Sequence, residues 1–418
     1  MVNKIYRRKL VEKILPYLNT EEAIVIYGAR QVGKTSLMKY LMENHLGNNT
    51  FYLDLELRNL LELCNDGPEE TYNYLLQKGA DKSKKIFLLI DEIQYLENPA
   101  NFIKIMADHY KNIKLIVSGS STFEIRKKFK ESLAGRTINF ELYPLDFDEF
   151  LLFKNKKYSL SEENSKTINE ELIPLAEEFI RFGGYPKIIL EDIIERKAAY
   201  LYQIIDTYVK KDIRDIGNIR DIEAFNKLLE LLASQTGCLL NVSELSNTLN
   251  TSRITIIEYL ELLEKTFIIK KALPYHKNLR SELTKNPKIF FLDTGMANLL
   301  WLKEFPKELL GNMFETAVFT ELIKSGFKIN FWRTTAKQEV DFIISLSRER
   351  IIAIESKINF NKARINSAFT EEYTCKSLIV GLRGEKKGKY FWEMIKAVEK
   401  ENINIDRNLF LDSNIYQL

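Results

Sequence analysis

Cysteine is scarce in this sequence: Cys64, Cys238 and Cys375 are the only three in 418 residues, far apart and without paired spacing. That argues against a disulfide framework and a structural zinc site, and it suits a reducing compartment. Long apolar runs are also missing, since a stretch such as Ile86 to Ile90 falls far short of the roughly 20 residues a membrane span needs. No transmembrane segment and no membrane partner are expected. The opening Met1-Val-Asn-Lys-Ile-Tyr-Arg-Arg-Lys-Leu10 has early positive charge but no apolar stretch after it, so it fails as a secretory signal and a cytoplasmic protein is expected. Charge of one sign is lacking too: 61 basic against 58 acidic side chains leave +3, which does not announce a nucleic-acid binder. Any such function must rest on local patches. The run Arg126, Lys127, Lys128 and Lys130 reads first as a solvated face, and as a phosphate contact only if it lines a groove. Internal repeats and low-complexity tracts are absent.

What is present is a globular composition, 45% hydrophobic and 28% charged, in a chain long enough for two or three cores at about 150 residues each. The first 150 residues alternate short β-branched runs with helical patterns, the layout of helices packed on a parallel sheet. Predicted strands are Ala23 to Tyr27, Phe51 to Leu55, Ile86 to Ile90, Leu115 to Ser118 and Thr137 to Leu142. Polar sequence from Lys154 to Lys166 breaks the pattern and reads as a linker or exposed loop, with a domain edge near 155. From Leu172 to about Lys271 the period is helical, interrupted at Gly183-Gly184-Tyr185-Pro186. Strands return after Pro287, at Lys288 to Leu292, Ile329 to Trp332, Val340 to Ser345, Ile351 to Glu355 and Ser377 to Val380, around a helix near Phe314 to Ser325.

Gly28-Ala29-Arg30-Gln31-Val32-Gly33-Lys34-Thr35 is a complete G-x-x-x-x-G-K-[ST] loop, directly after an apolar strand and before the helical run Ser36 to Leu46. The glycines allow a tight turn whose N–H groups, with the helix N-terminus, surround the β- and γ-phosphates of ATP. Lys34 would neutralise their charge and Thr35 would ligate Mg²⁺. The strand Ile86-Phe-Leu-Leu-Ile ends in Asp91-Glu92, which resembles a Walker B element: Asp91 would hold Mg²⁺ through water and Glu92 would orient the attacking water. The next strand ends in Ser118-Gly-Ser-Ser121, where Ser118 is the best candidate for a γ-phosphate sensor, an ordinary turn being the plain alternative. Arg136 precedes the last strand of this region. It reads either as a stabiliser of transition-state charge, in cis or from a neighbouring subunit, or as a salt-bridge partner.

Gly28 to Ser36, Leu89 to Gln94, Ser118 to Ser121 and Leu133 to Arg136, followed by Leu142-Tyr-Pro-Leu-Asp-Phe-Asp-Glu-Phe150 and Gly183-Gly-Tyr-Pro186, resemble the prokaryotic AAA-type ATPases that carry a C-terminal domain of unknown function. The resemblance covers most of the chain. It implies an ATPase core of the additional-strand type followed by a helical segment, and it leaves the substrate undefined.

Farther on, Asn241 to Lys265 reads as two short helices joined at Asn250-Thr251, with the β-prone Phe267-Ile-Ile-Lys270 after them, the outline of a winged helix. The second helix carries Arg253 and Lys265 but also Glu258, Glu261 and Glu264, which would meet phosphates unfavourably. A structural or protein-contact role is favoured over sequence-specific reading, while Lys270, Lys271, His276, Lys277 and Arg280 keep nonspecific DNA contact open. The last region contains Glu315 on a predicted helix, Asp341 in Glu339-Val-Asp341, and Glu355-Ser-Lys357 at a strand end, a set that resembles the PD-(D/E)XK nuclease fold. By that resemblance Asp341, Glu355 and Glu315 would hold Mg²⁺ or Mn²⁺ and Lys357 would align water. Val340 stands where the family normally has proline.

The expected fold is α/β: an AAA-type P-loop core with a parallel sheet (1–155), a helical connector (156–225), a winged-helix-like segment (226–285) and a small mixed α/β nuclease-like domain (286–418). Two functions compete. One is an ATPase that positions DNA or RNA for a metal-dependent cut. The other is a nucleotide-controlled switch or scaffold whose C-terminal domain binds a partner without cutting. Homo-oligomerisation is compatible with either.

Overall fold

A computed structural model describes residues 5–119, 133–208, 219, 221–276, 285–347, 350–384 and 388–402. Ser120 and Ser121, the basic run Arg126, Lys127, Lys128 and Lys130, and Lys277 and Arg280 lie outside the described residues. The chain divides into two compact units that interleave along the sequence, where sequence patterns suggest four consecutive segments. One comprises Met1–Pro144, Tyr202–Arg220 and Tyr259–Ile268, the other Leu145–Leu201, Asp221–Glu258 and Ile269–Leu418.

The first unit is built on five strands, β1 (Ala23–Tyr27), β2 (Thr50–Asp54), β3 (Ile86–Asp91), β4 (Ile113–Gly119) and β5 (Thr137–Glu141), each within a few residues of its predicted place. All pair in parallel, in the order β2-β3-β4-β1-β5. Insertion of β4 between β1 and β3 is the additional-strand arrangement expected from the resemblance. Parallel strands covered on both faces need apolar side chains throughout. Ile24, Val25 and Ile26 are fully buried, and each such side chain is worth about 1.5–3 kcal/mol. β4 is buried along its whole length, Lys114 included. The stem of Lys114 lies in the core while its ammonium donates to the Thr20 and Glu22 carbonyl oxygens, and burial pushes its pKa down to about 8.

The second unit carries helices and a seven-stranded mixed sheet. Its strands are β6 (Ile269–Pro274), β7 (Lys288–Phe291), β8 (Ile329–Arg333), β9 (Glu339–Ser345), β10 (Ile351–Ser356), β11 (Lys376–Gly381) and β12 (Lys389–Tyr390), in the order β12-β11-β10-β9-β8-β6-β7. Antiparallel pairing of β9 with both β8 and β10 centres the sheet on β9. The helix Lys166–Phe182 ends at Gly183, whose φ of +81° suits glycine and beside which a Cβ would meet the Asp293 carboxylate at 2.3 Å. Asp293 in turn accepts from the Gly184 N–H at 2.7 Å and caps the helix Thr294–Leu302. The turn expected at Gly183 to Pro186 therefore serves packing within this unit. The polar stretch before it is an irregular, mostly exposed loop, tied to the last described residues where Glu393 accepts from the Asn164 backbone and side-chain N–H groups, both at 3.0 Å. The helix Val242–Leu249 lies in this unit and the helix Arg253–Lys265 passes from it into the first unit at Tyr259; they flank Asn250, which adopts left-handed φ and ψ, so the two short helices joined by a turn are present.

Candidate functional site

β1 delivers the glycine loop to the C-terminal edge of the parallel sheet, where open α/β folds bind their ligands. Gly28 is forced: a Cβ there would lie 2.1 Å from the Leu142 carbonyl oxygen. Gly33, with φ +99°, turns the chain into the helix Lys34–Asn44, whose Leu37, Met38 and Leu41 are buried. The Lys34 ammonium is buried and donates to the carbonyl oxygens of Gly28 at 3.1 Å and Ala29 at 2.8 Å. Thr35 Oγ1 donates to Asp91 Oδ2 at 2.6 Å, joining the loop to the end of β3.

Asp91 is the hub of the site. Its Oδ2 also accepts from the Tyr52 hydroxyl at 2.8 Å, and its Oδ1 accepts from Ser118 Oγ and from the Glu92 N–H. Three adjacent strands thus deliver a tyrosine, a carboxylate and a serine to one point. Glu92 follows with φ +56°, a left-handed conformation that costs a non-glycine residue about 1–3 kcal/mol and persists only where surroundings enforce it. Gln94 Nε2 donates to its carboxylate. Hydroxyl and carboxylate oxygens beside a loop of backbone N–H groups are the donor set of a magnesium nucleotide, so these residues fit ATP with Mg²⁺. Thr35 and Asp91 would hold the metal, the loop from Gly28 to Ser36 the phosphates, and the bound ion would supply charge neutralisation.

Two residues here carry no sequence motif. Burial, with Asp91 adding to it, pushes the Tyr52 phenol well above its ordinary pKa, which keeps Tyr52 a hydrogen-bond donor. The buried guanidinium of Arg8 donates to the Val32 carbonyl at 2.6 Å and the Tyr143 carbonyl at 2.8 Å, clamping the glycine loop from the N-terminal segment. Strand register placed against β3 would have pointed to Tyr52, and no local signal marks Arg8.

Arg136 does not join this site. It precedes β5, whose pairing with β1 runs parallel from Ala23↔Thr137, so Arg136 sits at the N-terminal edge of the sheet while the glycine loop leaves the C-terminal edge. There its Nε donates to Asp108 at 2.7 Å, on the rim of a cavity of about 540 Å³ lined also by Thr20, Glu22 and Lys111. The expected cis role on transition-state charge is corrected accordingly, and the salt-bridge reading stands. Arg136→Ala should leave ATP turnover within about twofold of wild type, because this solvent-screened ion pair stands at the sheet edge opposite the glycine loop. A steady-state phosphate-release assay checks this, and a drop of tenfold or more would point to action on a neighbouring subunit.

The second unit assembles a different cluster on β9 and its neighbours. Glu315 from the helix Gly311–Lys324, with Glu339 and Asp341 from β9, brings carboxylate oxygens within 4.8 Å of one another. Glu355 lies outside that group of three, and its carboxylate pairs with Lys357 at 3.0 Å. Lys357 also stands 3.7 Å from Asp341, whose Oδ2 accepts from the backbone and hydroxyl of Ser356, both at 2.8 Å. Burial, with Asp341 adding to it, pushes the Glu315 carboxyl up to about 7 against the opposing pull of Lys288, and it raises Glu355 for the same two reasons. Two members were missing from the sequence-predicted set. Glu339 was legible in principle, because residues two apart on a strand share a face with Asp341. Lys288, opening β7, donates to Glu315 at 2.8 Å and to Glu339.

Comparison with known proteins matches three consecutive stretches of the chain. Residues 20–151 match an AAA domain family, residues 173–308 a Domain of unknown function (DUF8612), and residues 310–397 a Domain of unknown function (DUF4143). An uncharacterized protein of Haemophilus influenzae is 29% identical over 81% of this chain and 83% of its own length. Another, of Methanocaldococcus jannaschii, is 29% identical over 88% and 81%, and one of Mycobacterium tuberculosis is 23% identical over 82% and 72%. Among solved structures, the Walker-type ATPase of Pyrococcus abyssi aligns with a TM-score of 0.44 at 14% identity, covering 71% of this chain and 96% of that one. The ADP form of the Aeropyrum pernix ORC2 protein aligns at 0.33 and 13%, covering 65% and 90%. Residues 20–151, with their parallel sheet and glycine loop, are thus similar to an AAA domain family, a similarity that supports an ATP-binding P-loop in the first unit. Among the described residues no helix is long and apolar enough to cross a membrane.

Proposed function

We propose that this chain hydrolyses ATP with Mg²⁺ at the Gly28 to Ser36 loop, and that the nucleotide state switches a partner-binding second unit. The observation carrying the first half is Asp91, which accepts from Thr35, Tyr52 and Ser118 at the mouth of the loop. Phosphoryl transfer asks the protein for positioning and charge. Lys34 and the loop N–H groups supply the charge, Thr35 and Asp91 a metal seat, Glu92 an oriented water, and Ser118 a hydroxyl that reports the γ-phosphate through Asp91. Cytoplasmic placement and assembly into homo-oligomers belong to the same reading.

For the second unit, convergence of Asp341 and Glu355 on Lys357, with Glu315 beside Asp341, supports a metal-dependent cut of DNA or RNA. The cationic partners of those acids support a non-cutting role, and this is the reading we favour. Acidic residues on the helix Arg253–Lys265, which runs from the second unit into the first, disfavour phosphate contact and are compatible with a structural or protein-contact role. The deciding experiment is Mg²⁺-dependent phosphate release with and without DNA or RNA. Turnover that nucleic acid leaves unchanged is expected of the switch, and stimulation of several fold, with Mn²⁺-dependent cleavage lost in Lys357→Ala, would restore the nuclease reading.

A further inference from the structure

A fold of the PD-(D/E)XK type implies a divalent metal between its carboxylates, and the donor set here can be tested against that ion. Mg²⁺ requires near-octahedral oxygen ligation at about 2.1 Å, and an ammonium held on the same carboxylates competes for their lone pairs and repels the dication. Lys288 places one there. Its side chain is 3% exposed, and its Nζ lies 2.8 Å from Glu315 and in contact with Glu339, two of the three carboxylates that come within 4.8 Å of one another. Glu339 also receives Arg333 at 2.6 Å, and the remaining acids are partnered too: Glu355 receives Lys357 at 3.0 Å, and Asp341 receives Ser356 and faces Lys357. Against four carboxylates stand three cations, so little negative charge is left to attract a dication.

Nor is Lys288 a surface lysine that could swing aside. Its ammonium lies over the Phe331 ring at 5.6 Å, and β7 is bordered by the Gly237 to Leu240 segment, through Gly237 N–H to Ile289 O at 2.7 Å and Ile289 N–H to Cys238 O at 3.1 Å. That border runs close to the cluster because residue 237 is glycine, with φ +83° and the Glu315 carboxylate 3.3 Å from where a Cβ would stand. Removing an ammonium from a buried set of acids leaves uncompensated charge, so the pairing has no cheap alternative.

We infer that Lys288 is the resident cation of the C-terminal carboxylate cluster: it occupies the place of the divalent metal, and the cluster orders the sheet without cutting nucleic acid. This rests on the non-cutting reading of the second unit given above. The test counts bound Mn²⁺ by the loss of its free-ion EPR signal in the nucleotide-free, full-length protein. Wild type and Asp341→Asn should bind alike, and Lys288→Met should gain a Mn²⁺ site at least about tenfold tighter than any in wild type, because a like charge within a few ångströms has been removed. That site should vanish in the Lys288→Met, Asp341→Asn double variant. Wild-type Mn²⁺ binding that Asp341→Asn abolishes, or a folded Lys288→Met with no new site, would overturn the inference. If circular dichroism shows that Lys288→Met does not fold, the wild-type and Asp341→Asn comparison decides alone. Incubation of the same preparations with DNA or RNA and Mn²⁺ keeps the readings apart: cleavage that wild type and Asp341→Asn share sinks the non-cutting reading and leaves the metal count intact.

Discussion

Replacing Lys34 with alanine should lower ATP affinity by at least about 100-fold, enough to abolish binding in a fluorescence titration at micromolar protein. Each hydrogen bond to a charged group is worth about 1.5–3 kcal/mol, and a lysine in this loop serves more than one phosphate oxygen. The ammonium in the structure already donates to the Gly28 and Ala29 carbonyls, so it stands within the loop that would receive the phosphates. Those two bonds are lost in the variant, and a thermal melt is needed to separate a loosened loop from a lost ligand contact. Lys34→Arg keeps the charge and should restore part of the binding if charge is what matters. Affinity unchanged in Lys34→Ala would remove the assignment of the loop.

Glu92→Gln should bind ATP with near-normal affinity while turning it over at least about 100-fold more slowly, since loss of a positioned base or water-orienting group typically costs 10² to 10⁴ in rate. The substitution is nearly isosteric, and the Glu92 N–H bond to Asp91 Oδ1 at 3.2 Å does not involve the side chain. The left-handed φ of +56° aims the residue away from the line of β3, a strained geometry retained at the mouth of the site. Single-turnover phosphate release measured beside equilibrium binding checks the separation. If both survive the substitution, another group positions the water.

Local chemistry was legible because it is local. A glycine loop needs only its own dozen residues, the strand before it and the helix after it, so Gly28 to Ser36 could be assigned from spacing alone. Asp91 and Glu92 were legible for the same reason, as acids ending an apolar run, and the strands as β-branched stretches between turn signals. Arg136 was misplaced in its cis role although a rule was at hand. A residue that precedes a parallel strand lies at the edge opposite the loop that follows one.

Other partners depended on distance along the chain. Tyr52 reaches Asp91 only because β2 pairs with β3 in the register Asp54↔Asp91, and Arg8 reaches Val32 from 24 residues away. In the second unit, Glu339 and Asp341 share a strand face, which alternation alone could tell, whereas Lys288 is 27 residues from Glu315 and its role exists only once β7 and the helix Gly311–Lys324 pack together. The sequence by itself therefore determined an α/β protein with a glycine loop, an acid-ended strand beside it and a second acidic set, because residue type and short-range spacing carry those features. Which cation answers each acid was decided by the tertiary structure alone, since electrostatic pairing follows distance in space and burial, and neither is written in the order of the residues.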